Sequence, residues 1–252
     1  MWQNKLKEPF TFCLGIVLIG VVVQAAGALK GDALVFPGVD EIMRAFFRLI
    51  TAEKTYALIW TTMKHLIASM AVSAVIGVTL GMGMGMLPFL RKLLQPMMIL
   101  LRSLPMVILI VIIMVVADYA HVPVLASSIV LVPMIAEAAC EGCLRIDKEF
   151  IDVYRMNANF NVRVLFQVYL PLMAGYLRQA WVNAAGMGVK LAVSTEYLVQ
   201  TKNSLGKAVH TSGYFNEYQD IYAYALVMIL LVLVVSEGPV MIGKLAARMR
   251  KK

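Results

Sequence analysis

The amino-acid sequence predicts an all-α integral membrane protein with six membrane-spanning helices. Of its 252 residues, 61% belong to the hydrophobic set and 15% are charged, and the mean hydropathy is +0.79. A water-soluble domain is about half apolar with about 25% charged residues, so the outer surface of this chain must face hydrocarbon. One helical span takes roughly 20 residues, and the chain contains six apolar runs of about that length. We therefore expect a single membrane domain over residues 1–252.

The same composition excludes other classes of protein. A disordered chain and a nucleic-acid-binding domain need far more polar surface, and a secreted disulfide scaffold needs more cysteine than the three present. We therefore expect a lipid membrane, and no nucleic acid, among its partners. The net charge of +8 arises from Lys and Arg between and beyond the apolar runs, where such residues set orientation.

The first two elements are a spanning helix and a helix at the membrane surface. The segment 10–29 is uncharged over 20 residues, which is too long for the apolar part of a signal peptide, and it lacks a convincing cleavage site. The chain then breaks at Phe36-Pro37-Gly38. Over about residues 38–52, apolar side chains recur at helical spacing beside Arg44 and Arg48, which predicts an amphipathic surface helix.

Five further spans are predicted from the remaining apolar runs. A tight hairpin at 118–122 separates the third span from the fourth, and the longest polar insertion, 144–167, separates the fourth from the fifth. A polar loop, 196–220, precedes the sixth. The five spans are predicted at residues 66–90, 93–117, 122–143, 171–195 and 221–243.

The distribution of basic residues predicts which side faces the cytoplasm. The N-terminus, the Arg91-Lys92 loop, the 144–167 loop and the C-terminus share one side, which carries nearly twice as many Lys and Arg as the other. Such an excess marks the cytoplasmic side. Both termini are therefore predicted in the cytoplasm.

The second span carries a stripe of small residues. Gly77, Gly81 and Gly85 stand four residues apart and form two overlapping GxxxG patterns, which let another helix approach closely. We expect them to pack against a helix of the same subunit; a dimer contact is the alternative.

Two basic residues are predicted at membrane depth, where charges are costly and face a bundle interior or a water path. Arg102 begins the third span, from which it can snorkel to the interface. Lys190 lies too deep in the fifth span to do so with ease. It therefore pairs with an internal acid, such as Asp118, or contacts a substrate.

No catalytic or metal constellation is recognisable in the sequence. It contains no GxxxxGK[ST] loop, G-x-S-x-G elbow or HExxH pair, so we expect no catalytic residues. Cys140-Glu141-Gly142-Cys143 has the CxxC spacing, but the remaining Cys and His residues are scattered over other segments. No metal site is therefore expected.

The 144–167 loop carries the most informative pattern. Asp152-Val153-Tyr154-Arg155-Met156-Asn157-Ala158 is followed, ten residues after Ala158, by Val168-Tyr169-Leu170-Pro171. This spacing resembles the E-A-A-x-x-x-G and I-x-L-P signature of permease subunits in binding-protein-dependent (type I) ABC importers. Asp152 stands in place of the Glu and Ala158 in place of the Gly. A literal Glu137-Ala138-Ala139 lacks the required spacing, and we treat it as a coincidence.

Other segments resemble the nitrate/sulfonate/taurine branch of these permeases. Leu101-Arg102-Ser103-Leu104-Pro105 is similar to the L-R-S-I-P that opens the third helix of that branch. Thr195-Glu196 with Asn203-Ser204-Leu205-Gly206 is similar to its A-E…S-G-L-G segment after the fifth helix. The likeness covers nearly the whole chain in the same order.

The resemblance implies a permease subunit of the bacterial cytoplasmic (inner) membrane that forms the substrate path. Such subunits work in pairs, with a second permease copy or a paralogue, on two separate ATPases, and an extracytoplasmic solute-binding protein delivers the substrate. ATP and Mg²⁺ would bind the partner ATPase, and this chain would bind no cofactor and hydrolyse nothing. Substrates of that branch are small anions, sulfonates or vitamin-precursor heterocycles.

The resemblance also implies roles for individual residues. The segment 152–160 would dock in a groove of the ATPase, and Leu170-Pro171 would fix the start of the fifth helix. The expected path residues are Arg102, Lys190 and Glu196. The expected ATPase-coupling residues are Asp152, Val153, Tyr154, Arg155, Met156, Asn157, Ala158, Asn159, Phe160, Leu170 and Pro171.

A secondary transporter or channel acting alone is the alternative function. Inverted repeats, or several acidic groups within the helices, would favour it. The sequence shows no internal repeat, and its acids at membrane depth are confined to helix ends. A membrane-embedded enzyme is a third class, which the lack of any catalytic constellation argues against.

Overall fold

A computed structural model of the chain describes residues 37–147, 149–150 and 164–249, and this part is helical, without strands. The predicted first span, 10–29, and the predicted coupling segment, 152–160, lie outside the described residues. A π-helical turn, Leu165–Tyr169, and a short helical turn, Leu170–Leu172, precede the helix that begins at Ala174. The helices are α1 (Val39–Thr51), α2 (Glu53–Met86), α3 (Pro88–Ser103), α4 (Met106–Val116), α5 (Val122–Leu144), α6 (Ala174–Val199), α7 (Leu205–Tyr214) and α8 (Tyr218–Met249).

Helix α1 lies where the sequence predicts the amphipathic helix. Gly38 caps its start, and the backbone N–H of Gly38 donates to Glu41 Oε2 at 3.2 Å. Ala45 and Leu49 on its inner face are buried. Arg48 on the same helix forms an ion pair with Asp220 at the start of α8, so a charged contact accompanies the apolar packing of α1 on α8.

The helix that contains the predicted second span begins before that span. Helix α2 starts at Glu53, not at residue 66, and runs for 34 residues, about 51 Å at 1.5 Å per residue. That length exceeds the roughly 30 Å hydrocarbon core, so the polar first turns around Lys54 extend the same helix beyond the core. Lys64 interrupts the apolar run in the sequence, but the helix continues through this charged residue.

The segment predicted as the third span is not one unbroken helix. The segment is divided into α3 and α4, which are bent by 101° at the break between them. Leu104 is extended there, with φ −66° and ψ 128°. It precedes Pro105, whose ring disfavours the helical conformation of the preceding residue and which has no N–H to donate. The local chemistry of proline therefore outweighs the apolar pattern.

The best-packed part of the fold is the contact between α2 and α5. A side chain at Gly77 would place a Cβ 2.9 Å from Cβ of Ile135, and side chains at Gly81 and Gly85 would collide with Ala136 and Cys143. The glycine stripe therefore faces α5 of the same chain, where its missing side chains let the two helices approach closely.

Three described helices are long and apolar enough to cross a membrane: α2, α5 and the segment Tyr218–Ser236 of α8. The bent pair α3 and α4 raises the number to four if it forms one span. Helix α6 is long enough, but it carries Arg178, Lys190 and Glu196. The total of six crossings, like the single domain over 1–252, stays a prediction. The polar loop predicted at 196–220 contains α7.

Candidate functional site

Helix α6 exposes a polar stripe on one side of a membrane-length helix. At 3.6 residues per turn, Gln179, Asn183, Lys190 and Ser194 fall on the same side, and all four are exposed on the isolated chain. Gln179 Nε2 donates to Asn183 Oδ1 at 3.3 Å. The stripe is about 22 Å long at 1.5 Å per residue, which is most of the hydrocarbon thickness of roughly 30 Å.

The opposite side of α6 is built for close packing. Its small residues are buried, and a Cβ added at Gly188 would lie 2.7 Å from Leu66 Cδ1 of α2. This packing fixes the rotation of α6 about its own axis, so the polar stripe points away from the core. The buried small residues on that side are Ala184, Ala185, Gly188 and Ala192.

Lys190 has no acidic partner in the described part of the chain. The ion pairs there join other residues, and Asp118, the partner suggested from the sequence, is exposed in the turn before α5. Lys190 lies nine residues before the end of α6, about 14 Å along the axis. If α6 crosses the membrane as predicted, an ammonium group at that depth needs water or an anion to stabilise its charge.

Arg102, in contrast, has a partner. At the end of α3 it forms an ion pair with Glu137 of α5, and the two side chains are 50% and 41% exposed. The contact ties the corner between α3 and α4 to α5. Snorkelling therefore does not describe this arginine fully, because its charge is balanced by a carboxylate within the same chain.

Glu196 lies inside the fold and not on the exposed stripe. Its carboxylate has no exposed surface and accepts hydrogen bonds from Thr62 Oγ1 at 2.8 Å and from the backbone N–H of Gly206 at 3.2 Å. His65 Nδ1 lies 2.7 Å from its other oxygen. Leu205 N–H donates to Thr62 Oγ1 at 3.1 Å. These contacts, which we call the Glu196 clamp, join α2, the end of α6 and the start of α7.

Gly206 is required by the geometry of the clamp. A Cβ at this position would lie 2.5 Å from Cβ of Glu196 and equally close to the backbone of Tyr197 and Val193. Any side chain there would separate α7 from α6. The segment Thr195-Glu196 with Asn203-Ser204-Leu205-Gly206 is thus a structural unit that fixes the connection between these two helices.

Replacing Glu196 by Leu is expected to destabilise the protein strongly. The change removes the acceptor of buried donors, and each buried donor left unpaired costs about 1–3 kcal/mol. Thermal unfolding of the detergent-solubilised protein, followed by size-exclusion chromatography, should show a clear fall in the midpoint. Glu217→Leu, which removes an exposed carboxylate near α8, is the control. Equal midpoints for the two variants would contradict the clamp.

Sequence reasoning missed several of these residues. Thr62 and His65 lie one helical turn apart on α2. The sequence did not indicate that they bind Glu196, because that partner is distant in sequence. On α6, Gln179, Asn183 and Ser194 gave no signal singly. Their common spacing with Lys190 could have revealed the stripe, since a polar side of an apolar helix is a periodic pattern.

The predicted coupling residues are only partly described. Leu170 and Pro171 lie in the helical turn before α6, and Met173, which follows, is fully buried against Cys143 of α5. The remaining coupling residues lie outside the described part of the chain. Among described residues, no group of three His, Cys, Asp or Glu side chains has the arrangement of a metal site.

Comparison with known proteins gives two matches of different kinds. A family model described as "Binding-protein-dependent transport system inner membrane component" matches residues 73–237, well over half of the chain. The fold is similar to a chain of the MetNI methionine ABC transporter in an inward-facing conformation, with a TM-score of 0.61 and 18% identity over 76% of this chain and 97% of that one. At that identity the likeness shows the fold alone. A search of curated proteins found no match.

Proposed function

Because the chain belongs to the family of binding-protein-dependent transport system inner membrane components, we propose that its α6 stripe lines the path of an anionic substrate across the membrane. The family provides the permease components of type I ABC importers. The chain is therefore a multi-pass membrane permease and not an enzyme, and the ATPase is a separate chain. The predicted all-α permease fold is confirmed.

The polar stripe, with a lysine that has no acidic partner among the described residues, is the observation that carries the proposed path. A helix surface that faces lipid is stabilised by apolar side chains. A surface with polar side chains is stabilised by water or a solute, and this one carries Gln179, Asn183, Lys190 and Ser194. The positive charge of Lys190 favours a substrate with a negative group. A small anion, a sulfonate or a vitamin-precursor-like solute fits this requirement, in agreement with the resemblance to the nitrate/sulfonate/taurine branch.

A second permease subunit would complete the path. In one chain the stripe is an open surface, and a channel needs a wall on its other side. We propose that a second copy or a paralogue supplies that wall, that ATPases carrying ATP and Mg²⁺ bind on the cytoplasmic side, and that an extracytoplasmic solute-binding protein delivers the substrate.

Co-purification tests the assembly. The affinity-tagged full chain, extracted in mild detergent, is expected to retain an ABC ATPase, and ATP should drive uptake when the complex is reconstituted with its solute-binding protein. Uptake by the chain alone, without any ATPase, would instead indicate a stand-alone transporter and would overturn the proposal.

The orientation is a separate prediction. With both termini in the cytoplasm, a membrane-impermeant maleimide added outside intact cells should label Asn203→Cys, in the connection between α6 and α7. It should miss Asn157→Cys in the 144–167 loop. Labelling after permeabilisation controls for the reactivity of each cysteine. The reverse pattern of labelling in intact cells would show that the charge asymmetry has been assigned to the wrong side.

A further inference from the structure

A cavity with three lysines in its wall lies at the opposite end of α6 from the 144–167 loop. It is bounded by the end of α1, the start of α2, the connection between α6 and α7, helix α7 and the start of α8, and its volume is about 520 Å³. That volume lies within the range of small-molecule sites, roughly 300–1,000 Å³. Lys190 does not line it, so this cavity, which we call the outer cleft, is distinct from the stripe.

The outer cleft carries an excess of positive charge. Lys54, Lys202 and Lys207 line it, and none of the three has a carboxylate partner among the described residues. Of the two acids in its wall, Asp220 already pairs with Arg48, and only Glu217 remains. Three ammonium groups around one cavity repel one another, and an anion between them removes that repulsion.

The wall that carries two of these lysines is held in place by buried contacts. Ser204 caps α7 by accepting a hydrogen bond from the backbone N–H of Lys207 at 3.2 Å, and it donates to the carbonyl of Thr201 at 2.7 Å. The adjacent Leu205 N–H is fixed by Thr62 of the Glu196 clamp. A backbone fixed before binding lowers the entropic cost of binding a ligand.

We infer that the outer cleft binds a small oxyanion, of the size and charge of sulfate, a sulfonate group or a phosphate group. The cavity supplies the space, the three lysines supply the charge, and Ser212 supplies a hydroxyl in its wall. The Thr211 hydroxyl, also in the wall, already donates to the carbonyl of Lys207. The role of the site rests on the proposed function. In the predicted orientation the cleft faces the outside, where it would receive the anionic group of the substrate before Lys190 does. The phosphate of a lipid headgroup offers the same chemistry.

Acetylation rates of individual lysines test this inference. The full-length chain in phosphatidylcholine nanodiscs is treated with uncharged N-succinimidyl acetate. One sample contains sodium sulfate, the other contains sodium chloride of equal ionic strength, and the acetylation of each lysine is followed by mass spectrometry. Sulfate at twice its dissociation constant should slow acetylation of the cleft lysines about threefold by mass action. Lys64, which lies over the ring of Trp60 outside the cleft, should react at an unchanged rate.

Variants and lipids complete the test. Lys202→Gln together with Lys207→Gln should abolish the protection of Lys54, whereas Lys64→Gln should preserve it. Protection by phosphatidylglycerol nanodiscs, but not by sulfate, would assign the anion to a lipid headgroup. No protection by either, or protection that survives in the double variant, would overturn the inference. The acetylation assay uses neither ATPase nor solute-binding protein. Its result therefore stays interpretable even if the co-purification test shows that the proposed function is wrong.

Discussion

Replacing Lys190 by Met is expected to lower ATP-driven uptake by about 10- to 100-fold. A hydrogen bond to a charged group is worth about 1.5–3 kcal/mol, and each 1.4 kcal/mol corresponds to a factor of ten. Lys190 has no carboxylate partner in the described residues. Its removal therefore breaks no ion pair among them, but it removes the positive charge that would face the substrate. Uptake of the labelled substrate into proteoliposomes, measured with the complete transporter, checks the change.

Three comparisons make the Lys190 test specific. Lys190→Arg keeps the positive charge and should retain most of the uptake. Lys64→Met removes an exposed lysine of α2 that lies outside the stripe, and it should have no effect. The amount of ATPase that co-purifies should be the same for all variants, because Lys190 lies 16 residues after the start of α6, about 24 Å along the axis from the end next to the 144–167 loop. Normal uptake by Lys190→Met at normal membrane abundance would eliminate the substrate role.

Much of the fold could be predicted from the sequence because lipid imposes a simple rule. A span must be helical and mostly apolar, since backbone groups have no other partners in hydrocarbon, so α2 and α5 follow from their uncharged runs. The rule fails where local chemistry intervenes. Pro105 breaks the third run, and the helix that starts at Glu53 continues through residues too polar for lipid.

The site was less predictable because its contacts are distant in sequence. Lys190 is visible as a lone charge in an apolar run. Glu196 looked similar, yet Thr62 and Gly206 enclose it completely. Whether a charge faces a path or a buried partner depends on the rotation of its helix, which is set by packing against other helices. The rotation of a helix cannot be read from a single sequence; it is known only when the packing of the helices is known.

The end of the fold that is predicted to face the cytoplasm exposes large apolar side chains next in sequence to the predicted coupling segment. Leu144 at the end of α5 is 47% exposed, Phe150 is 57% exposed, and Phe166 in the π-helical turn is 65% exposed. This end is predicted to lie outside the hydrocarbon, where exposed aromatic side chains favour contact with a partner. The segment 152–160, between the two Phe residues, adds Tyr154 and Met156 to the same stretch of sequence.

Replacing Tyr154 and Met156 together by Ala is expected to weaken ATPase binding or to uncouple ATP hydrolysis from uptake. Buried aromatic and apolar anchors dominate the free energy of an interface, and losing one costs about 2 kcal/mol or more. Two such losses add up to about 4 kcal/mol, which would weaken binding about 700-fold. The ATPase retained on the tagged permease, and the ratio of ATP hydrolysed to substrate transported, are the two measurements.

The control for this prediction is the double change Asn157→Ala with Asn159→Ala. These neighbours are expected at the polar rim of the interface, where contacts contribute little to affinity, so their removal should alter binding only slightly. If Tyr154 and Met156 instead cover the cytoplasmic ends of the chain's own helices, their replacement would lower the thermal stability and membrane abundance of the permease. ATPase binding per inserted permease would then be unchanged. That outcome would contradict the prediction that segment 152–160 docks on the ATPase. Normal ATPase binding and normal coupling at normal membrane abundance would contradict it too.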